Sequence, residues 1–397
     1  MNEYKKDMIK MLCDLIEIKA VSPDFEGEGE VEKADYLMKK LDFFDLIQRY
    51  DYKDERAKDG VRPNIVAKIK GVLNRTIWII THLDVVPAGN KNLWKYDPFK
   101  ANIEGNKIYG RGAEDNGQAI VSSFYAAKAI HESKKLPKFS FGLVFVSDEE
   151  SGNEYGIKKL VKERIFSKDD MFLVPDVSSP KGDAIEIAEK SVLWLKITVH
   201  GDQMHGSRPL GINASRRAMK IVLDLDEKLH NKFSARNYLF DLPYSTFEPT
   251  KREKNVDNIN TIPGVDVSYM DCRILPNYDL QEVLDYIENI RRFYEMRDGK
   301  RVDIEVVHRS SSPQTPENVE IVNRLKKLLI EVRKVEPRLI GIGGNTCAAV
   351  LRSERFLDTV AWFTADGTAH KPNEYCIIQN MVEDAKIFYL LPFEPLR

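Results

Sequence analysis

The chain has 397 residues, 43% hydrophobic and 31% charged, and its 60 Lys and Arg nearly balance 62 Asp and Glu, leaving a net charge of −2. That length exceeds the ~250–300 residues over which one hydrophobic core grows, so two domains are expected. Near-neutral charge argues against nucleic acid or an anionic membrane as the main partner, and no apolar run approaches the about 18–20 residues that span a bilayer.

The opening segment MNEYKKDMIKMLCDLIEI sets Met8, Leu12, Leu15 and Ile16 at helical spacing, while Asp7, Lys10 and Asp14 interrupt any signal-peptide core. An N-terminal helix follows from that pattern. Cys13, Cys272, Cys347 and Cys376 lie far apart with no CxxC pair, which predicts neither a disulfide framework nor a cysteine zinc site and suits a reducing cytoplasm.

Compact apolar runs follow at TIWIIT (76–81), FSFGLVFVS (139–147) and MFLVPD (171–176), separated by helical patterns at about 30–45, 117–133 and 153–165. Such alternation predicts an α/β fold, a mainly parallel sheet with helices on both faces, with ligands at the carboxyl ends of its strands. From about 191 to 307 the grammar changes. A strand at 192–200, a helix near 213–231, a polar Pro-containing connection, strands near 258–262 and 265–274, a helix near 279–294 and a strand at 302–308 give the ferredoxin-like β-α-β-β-α-β order. The remainder returns to helix, strand (TVAWFTA, 359–365) and helix. The expected division is residues 1–190 and 308–397 in one domain, with 191–307 inserted as an α+β domain.

Five strand ends or loops carry metal-binding chemistry. THLDVVP places His82 and Asp84 two residues apart on one face of a strand, so that Asp84 is placed to accept the second ring N–H of a metal-binding imidazole. GRGAEDNGQ carries Asp115, VSDEES carries Asp148, Glu149 and Glu150, LVPD places Asp176 at a strand end, and ADGTAHKPNE carries His370. Each alone has an ordinary structural explanation: an Asx turn, a helix cap, a solvated acidic loop or a core histidine. Together they supply two imidazoles and several carboxylates on the side where strand ends converge, an N/O set suited to zinc or its first-row neighbours. A nucleotide-binding α/β protein is disfavoured, since no GxGxxG or P-loop follows any of these strands.

The motifs THLDVVP, GRGAEDNGQ, DEESG, PD, HGSRPLGINA, NTIPG, DCRILP and GTAHKPNE, in this order along essentially the whole chain, resemble the di-zinc peptidases and deacylases that include acetylornithine deacetylase, succinyl-diaminopimelate desuccinylase, carboxypeptidase G and bacterial dipeptidases. The resemblance implies two divalent ions, zinc first with cobalt or manganese as alternatives. Asp115 bridges them, His82 and Asp176 complete one site, and Glu150 and His370 complete the other. It further implies that Asp84 orients His82, that Glu149 is the general base, and that the peptide after Asp115 is cis. His205 matches a histidine of the inserted lid that, in dimeric members, stabilises the oxyanion in the partner's site. Asn260 and Arg273 match lid positions linked to substrate recognition, although an ion pair within the lid explains Arg273 equally well. The implied protein is a homodimer, joined through the lid, that hydrolyses the amide bond of a small N-acyl amino acid or short peptide. A dipeptidase or carboxypeptidase is the alternative within that class, and a non-catalytic ligand-binding member the alternative outside it. Two departures bear on substrate: Asn116-Gly117-Gln118 replaces the family's Lys-Gly pair, and GIGGNTCAA (341–349) matches the family's substrate loop only loosely.

Overall fold

The computed structural model describes residues 1–393, which form two compact units. The first contains residues 1–187, 315–340 and the described residues from 346 onward; the second contains 188–314 and 341–345.

An eight-stranded sheet organises the first unit, in the order Leu46–Lys53, Val61–Ile69, Phe139–Val146, Leu73–His82, Met171–Ser179, Thr359–Thr364, Ala184–Glu189 and Arg338–Ile342. The central four strands pair in parallel. Their apolar runs explain why: all eight residues of Phe139–Val146 and all six of Thr359–Thr364 are buried, as strands covered on both faces must be. Gly142 sits mid-strand because a Cβ there would lie 2.1 Å from the Trp78 ring of the neighbouring strand. Helices Ala119–Ser133 and Ile378–Leu390 pack on each other and on these strands.

The sheet's edge differs from the sequence expectation. Leu46–Lys53 and Val61–Ile69 form an antiparallel hairpin that the sequence pattern leaves unassigned, and the helix expected at about 30–45 is confined to Val31–Met38. The outer strand LIQRYDYK buries none of its residues fully, so it lacks the alternation that would reveal it. The helix expected at 153–165 shortens to Ile157–Lys162. Asn153 has φ 66°, and a Cβ on Gly156 would lie 2.0 Å from the Ser147 carbonyl oxygen, so the chain must turn before it can coil.

In the second unit a four-stranded antiparallel sheet runs Thr246–Arg252, Val265–Ile274, Ser191–His200, Val302–Ser310. Leu193, Leu195, Ile197 and Val199 point from its central strand into a core shared with helices Ala214–Lys232 and Leu280–Asp298. The β-α-β-β-α-β order holds, but its second strand is Thr246–Arg252 rather than 258–262. Thr261–Ile262 instead pairs with Met204–His205 as a two-residue ribbon. TFEPTKR escapes a hydrophobic reading because it is an edge strand: only Phe247 is fully buried, and Pro249 with the flanking charges discourages further pairing.

Behind the first unit's sheet, Arg352 and Glu186 form a fully buried bidentate pair at 2.8 and 2.7 Å, with the guanidinium also donating to Thr315 Oγ1 at 3.0 Å. Removing one partner leaves an uncompensated charge in a low-dielectric interior. Glu186→Ala is therefore expected to cost about 3–5 kcal/mol in urea unfolding, while Glu186→Leu combined with Arg352→Met recovers most of it. A loss below ~1 kcal/mol for the single variant would show that the pair is relaxed by solvent.

Candidate metal centre

The ends of the central strands and their following turns deliver the candidate ligands to one place. His82 closes the strand Leu73–His82, is 2% exposed, and has Nδ1 3.0 Å from the backbone oxygen of Asp84. That contact fixes the ring and turns Nε2 toward Asp115 Oδ1 at 2.8 Å and Asp176 Oδ1 at 3.9 Å. Asp115 sits in an irregular turn, Ala113–Gln118, and its peptide to Asn116 is cis. Its second oxygen, Oδ2, faces the other way and lies 3.1 Å from His370 Nε2, which is itself 3.0 Å from Glu150 Oε2. The two oxygens of one carboxylate thus address two different imidazoles.

Asp176 lies within the strand Met171–Ser179 rather than at its end. Pairing with Thr359–Thr364 is regular through Val174 and resumes at position 178, so the ladder is interrupted around Asp176. Such an irregularity re-aims a side chain without ending the strand. Glu149 and Glu150 occupy the turn after Phe139–Val146, entered through Asp148 at φ 66°. Donor atoms of His82, Glu149 and Asp176 lie within 4.8 Å of one another, as do those of His82, Asp115 and Glu150.

The electrostatics follow from this crowding. Burial, then the charges of Asp115 and Glu150, push Asp176 up to about 7. Glu149 is held well above the carboxylate range by its enclosure and by Asp176, and Glu150 is raised by enclosure and by Asp115. Burial disfavours a charged His82, yet Asp115, Asp84 and Asp176 outweigh it and hold the imidazole well above its usual range. His370 rises to about 10 through its hydrogen bonds to Asp115 and Glu150. Asp115 resists the upward push of burial and is held low by His82 and His370. Acids raised by mutual repulsion beside imidazoles held protonated are what a dense anionic donor set does without a cation. The N/O donors therefore fit divalent ions of the zinc type.

Asp84 has a different set of partners from the simple orienting role. Its carboxylate is 3.7 Å from His82 Nδ1 and accepts the backbone N–H groups of Glu149 at 3.1 Å and Glu150 at 3.0 Å. It ties the Glu149–Glu150 turn to the strand bearing His82. Sequence reasoning passed over two further acids. Glu374, the last residue of the KPNE motif, is fully buried and accepts from the N–H groups of Gly112, Glu114 and Asp115 at 2.9–3.0 Å and from Arg111 at 2.6 Å. Burial first, with Asp115 adding to it against Arg111, raises it to about 7. Glu114, beside Asp115, accepts from the segment that precedes His370. Two adjacent acids in GRGAEDNGQ were the available signal, masked because a side chain's direction in an irregular turn has no sequence period.

The departures from the family pattern also find places here. Asn116 Nδ2 donates to the Pro175 carbonyl at 2.8 Å, and Gln118 Nε2 donates to the Thr364 carbonyl at 2.6 Å and to Asp384 at 3.1 Å. Both amides brace strands of the first unit's sheet. In the second unit, His205 is exposed, with Nδ1 2.7 Å from Ser207 Oγ and Nε2 3.5 Å from Asn260 Nδ2. Arg273 grips Asp271 through two bonds of 2.6 and 2.9 Å and reaches the Gly343 carbonyl at 3.4 Å.

A parallel α/β sheet whose strand ends gather imidazoles and carboxylates in this way defines a metal-dependent hydrolase, and the chain belongs to peptidase family M20/M25/M40, whose model matches residues 78–393. It is 40% identical over 405 residues to an uncharacterized metallohydrolase of Methanocaldococcus jannaschii, covering 97% of this chain and 98% of that one. A succinyl-diaminopimelate desuccinylase of Buchnera aphidicola is 27% identical over 399 residues, with 96% and 97% of the two chains covered. Among solved structures, the aminopeptidase PepT of Bacillus cereus superposes with a TM-score of 0.78 at 18% identity over 98% of each chain, and an M20 metallo-carboxypeptidase of Sulfolobus solfataricus with 0.75 at 19% over 97% and 99%.

The raised groups give the metal-free protein a defined pH response. A group whose folded pKa is raised binds more protons folded than unfolded, so the stability it contributes declines as pH rises. Asp176 acts between its ordinary 3.8 and about 7, and His370 between 6.5 and about 10. Glu149 and Glu150 act in the same direction. Chelated protein is expected to lose melting temperature between pH ~5 and ~8, and added zinc or cobalt to restore more of it at the upper end. A flat or rising melting temperature across that window would contradict this electrostatic account.

Proposed function

We propose that the chain hydrolyses the amide bond of a small N-acyl amino acid or short peptide at a centre of two divalent ions, zinc first, with cobalt or manganese as alternatives. The observation that carries this reading is the divided orientation of Asp115, Oδ1 toward His82 and Oδ2 toward His370. It supports Asp115 as the bridge, with His82 and Asp176 on one ion and Glu150 and His370 on the other. Two ions of this kind, when bound, supply a Lewis acid and an acidified water.

The chain's own residues account for the rest. Glu149, beside His82 and Asp176, takes the proton of the attacking water on a carboxylate oxygen and delivers it to the leaving nitrogen. Asp84 holds the Glu149 backbone, so the base keeps its place as its charge changes. In the dimer proposed below, His205 of the partner subunit donates to the developing oxyanion, a contribution of roughly 3–4 kcal/mol for a good donor. Asn260 and Arg273 receive a substrate carboxylate; a guanidinium has five N–H donors, and Asp271 engages two of those on Arg273.

A deacylase leads because a full-length relative carries a desuccinylase name. The second reading, a dipeptidase or carboxypeptidase, draws on the peptidases among the structural neighbours. The intact donor set weighs against a non-catalytic member. A reducing compartment, the cytoplasm, suits four cysteines none of which is in a disulfide; among the described residues no helix is long and apolar enough to cross a membrane.

A panel of dipeptides and N-acetyl and N-succinyl amino acids, assayed with metal content before and after chelation, separates these readings. The expected result is about two ions per chain, chelator-sensitive cleavage, and a Glu149→Gln variant that keeps both ions while losing about 10²–10⁴-fold in kcat. Retained turnover in that variant would remove Glu149 as the base, and absence of bound metal would remove the mechanism.

We also propose a homodimer joined through the second unit. Met219 and Leu223 on one of its helices and Phe293 and Met296 on the other are exposed, an apolar face of the kind that subunits cover. Sedimentation is expected to return twice the chain mass, and Phe293→Asp to shift it toward the monomer; a monomeric native protein contradicts this assembly.

A further inference from the structure

His370 is the candidate ligand held least by its own surroundings. Its ring is 55% exposed and its backbone has φ 63°, so neither packing nor a regular element fixes where the imidazole points. Its position depends on the residues just before it. That segment is tied to Glu114, which is 2% exposed. One carboxylate oxygen accepts the Asp366 N–H at 2.7 Å. The other accepts the Thr368 N–H, the Thr368 hydroxyl at 2.8 Å and the Ala369 N–H at 2.9 Å. Four donors from three residues of the segment 366–369 thus converge on one buried carboxylate.

A buried carboxylate is costly unless its lone pairs are met, and it accepts at about four sites. Glu114 is fully met by this one segment, which Tyr375 also holds through the Asp366 and Thr368 side chains. Glu114 neighbours Asp115, the candidate bridge, so a residue beside one ligand fixes the backbone that delivers another.

Resting on the two-ion reading above, we propose that Glu114 is a positioning residue that sets the affinity of one half of the centre, the half made by Glu150 and His370, by pinning residues 366–369. It touches neither substrate nor ion. Partners that orient ligands in this way typically change metal affinity about 10–100-fold when removed. A merely structural role would instead weaken both halves alike or lower the melting temperature without separating them.

Cobalt(II) titrated into chelated protein, followed by calorimetry and visible absorption, tests this directly. The wild type is expected to fill in two steps, and His370→Ala marks which step belongs to the Glu150–His370 half. Glu114→Ala is expected to weaken that same step at least tenfold while the other stays within threefold. It should add little further loss in a His370→Ala background, because the two substitutions act on one contact chain. Glu114→Gln, which can still present an oxygen to Thr368 and Ala369, is expected to weaken it less, and it decides the matter if the alanine variant does not fold. Unchanged affinities, or equal loss in both steps, overturn the role of Glu114. A wild type that binds fewer than two ions overturns the two-ion reading itself, and the inference with it.

Discussion

The constraint on which the first unit is organised is the gathering of like charges. Asp115, Glu149, Glu150 and Asp176 lie around His82 and His370 within a few ångströms, and carboxylates so placed repel one another and lose hydration together. The two imidazoles, held protonated, offset that repulsion only in part before a cation arrives. The structure opposes the repulsion with a second group of acids that does not share the donor positions. Asp84 accepts from Glu149 and Glu150, Glu374 from Gly112, Glu114 and Asp115, and Glu114 from Asp366, Thr368 and Ala369. In each case a buried carboxylate from one segment holds the backbone that carries a candidate ligand on another. Charge-assisted bonds from backbone N–H groups are stronger than neutral ones, so these carboxylates are effective anchors.

The bracing is also mutual. The turn bearing Asp115 supplies Glu114 to the loop bearing His370, and the segment just beyond His370 returns Glu374 to the turn bearing Asp115. Neither loop reaches its position without the other, although 250 or more residues separate the bonded partners. Such reciprocity makes a site precise where loops rather than regular elements carry the ligands. It also explains the left-handed backbone at Asp148 and His370: these residues sit where clamped segments must turn, and the clamps offset the conformational cost.

What the sequence revealed follows from where periodicity exists. Residues 76–82 of Leu73–His82, with Phe139–Val146 and Thr359–Thr364, are buried on both faces and read as largely apolar runs, so their ends, and His82 with them, were legible. Edge strands carry no such signal. Leu46–Lys53 and Thr246–Arg252 are exposed, charged, and in the second case interrupted by Pro249, so the first is assigned no element and the second reads as a connection. Asp176 was found through its residue type, but its setting within an irregular stretch of strand was not, because a ladder interruption depends on the partner strand. Glu114 and Glu374 were visible as letters within motifs; their work as acceptors depends on which backbone N–H groups lie nearby, which only the folded chain decides.

The two halves of the centre are consequently unequal in how they are built. His82 ends a buried strand, and Asp176 lies within the neighbouring strand of the same sheet, so one half inherits the stiffness of the sheet. Glu150 and His370 come from a turn and a loop, and the His370 ring stands more than half exposed. Their placement is set by hydrogen bonds to buried acids rather than by packing. Hydrogen bonds of this kind are specific in direction but individually modest in net free energy, whereas displacing a packed strand disturbs many contacts at once. Asp115 faces both imidazoles, and Glu374 fixes its backbone independently of either. A disturbance of the loop half can therefore leave Asp115 and the strand half in position, so the two sites proposed to share Asp115 differ in rigidity.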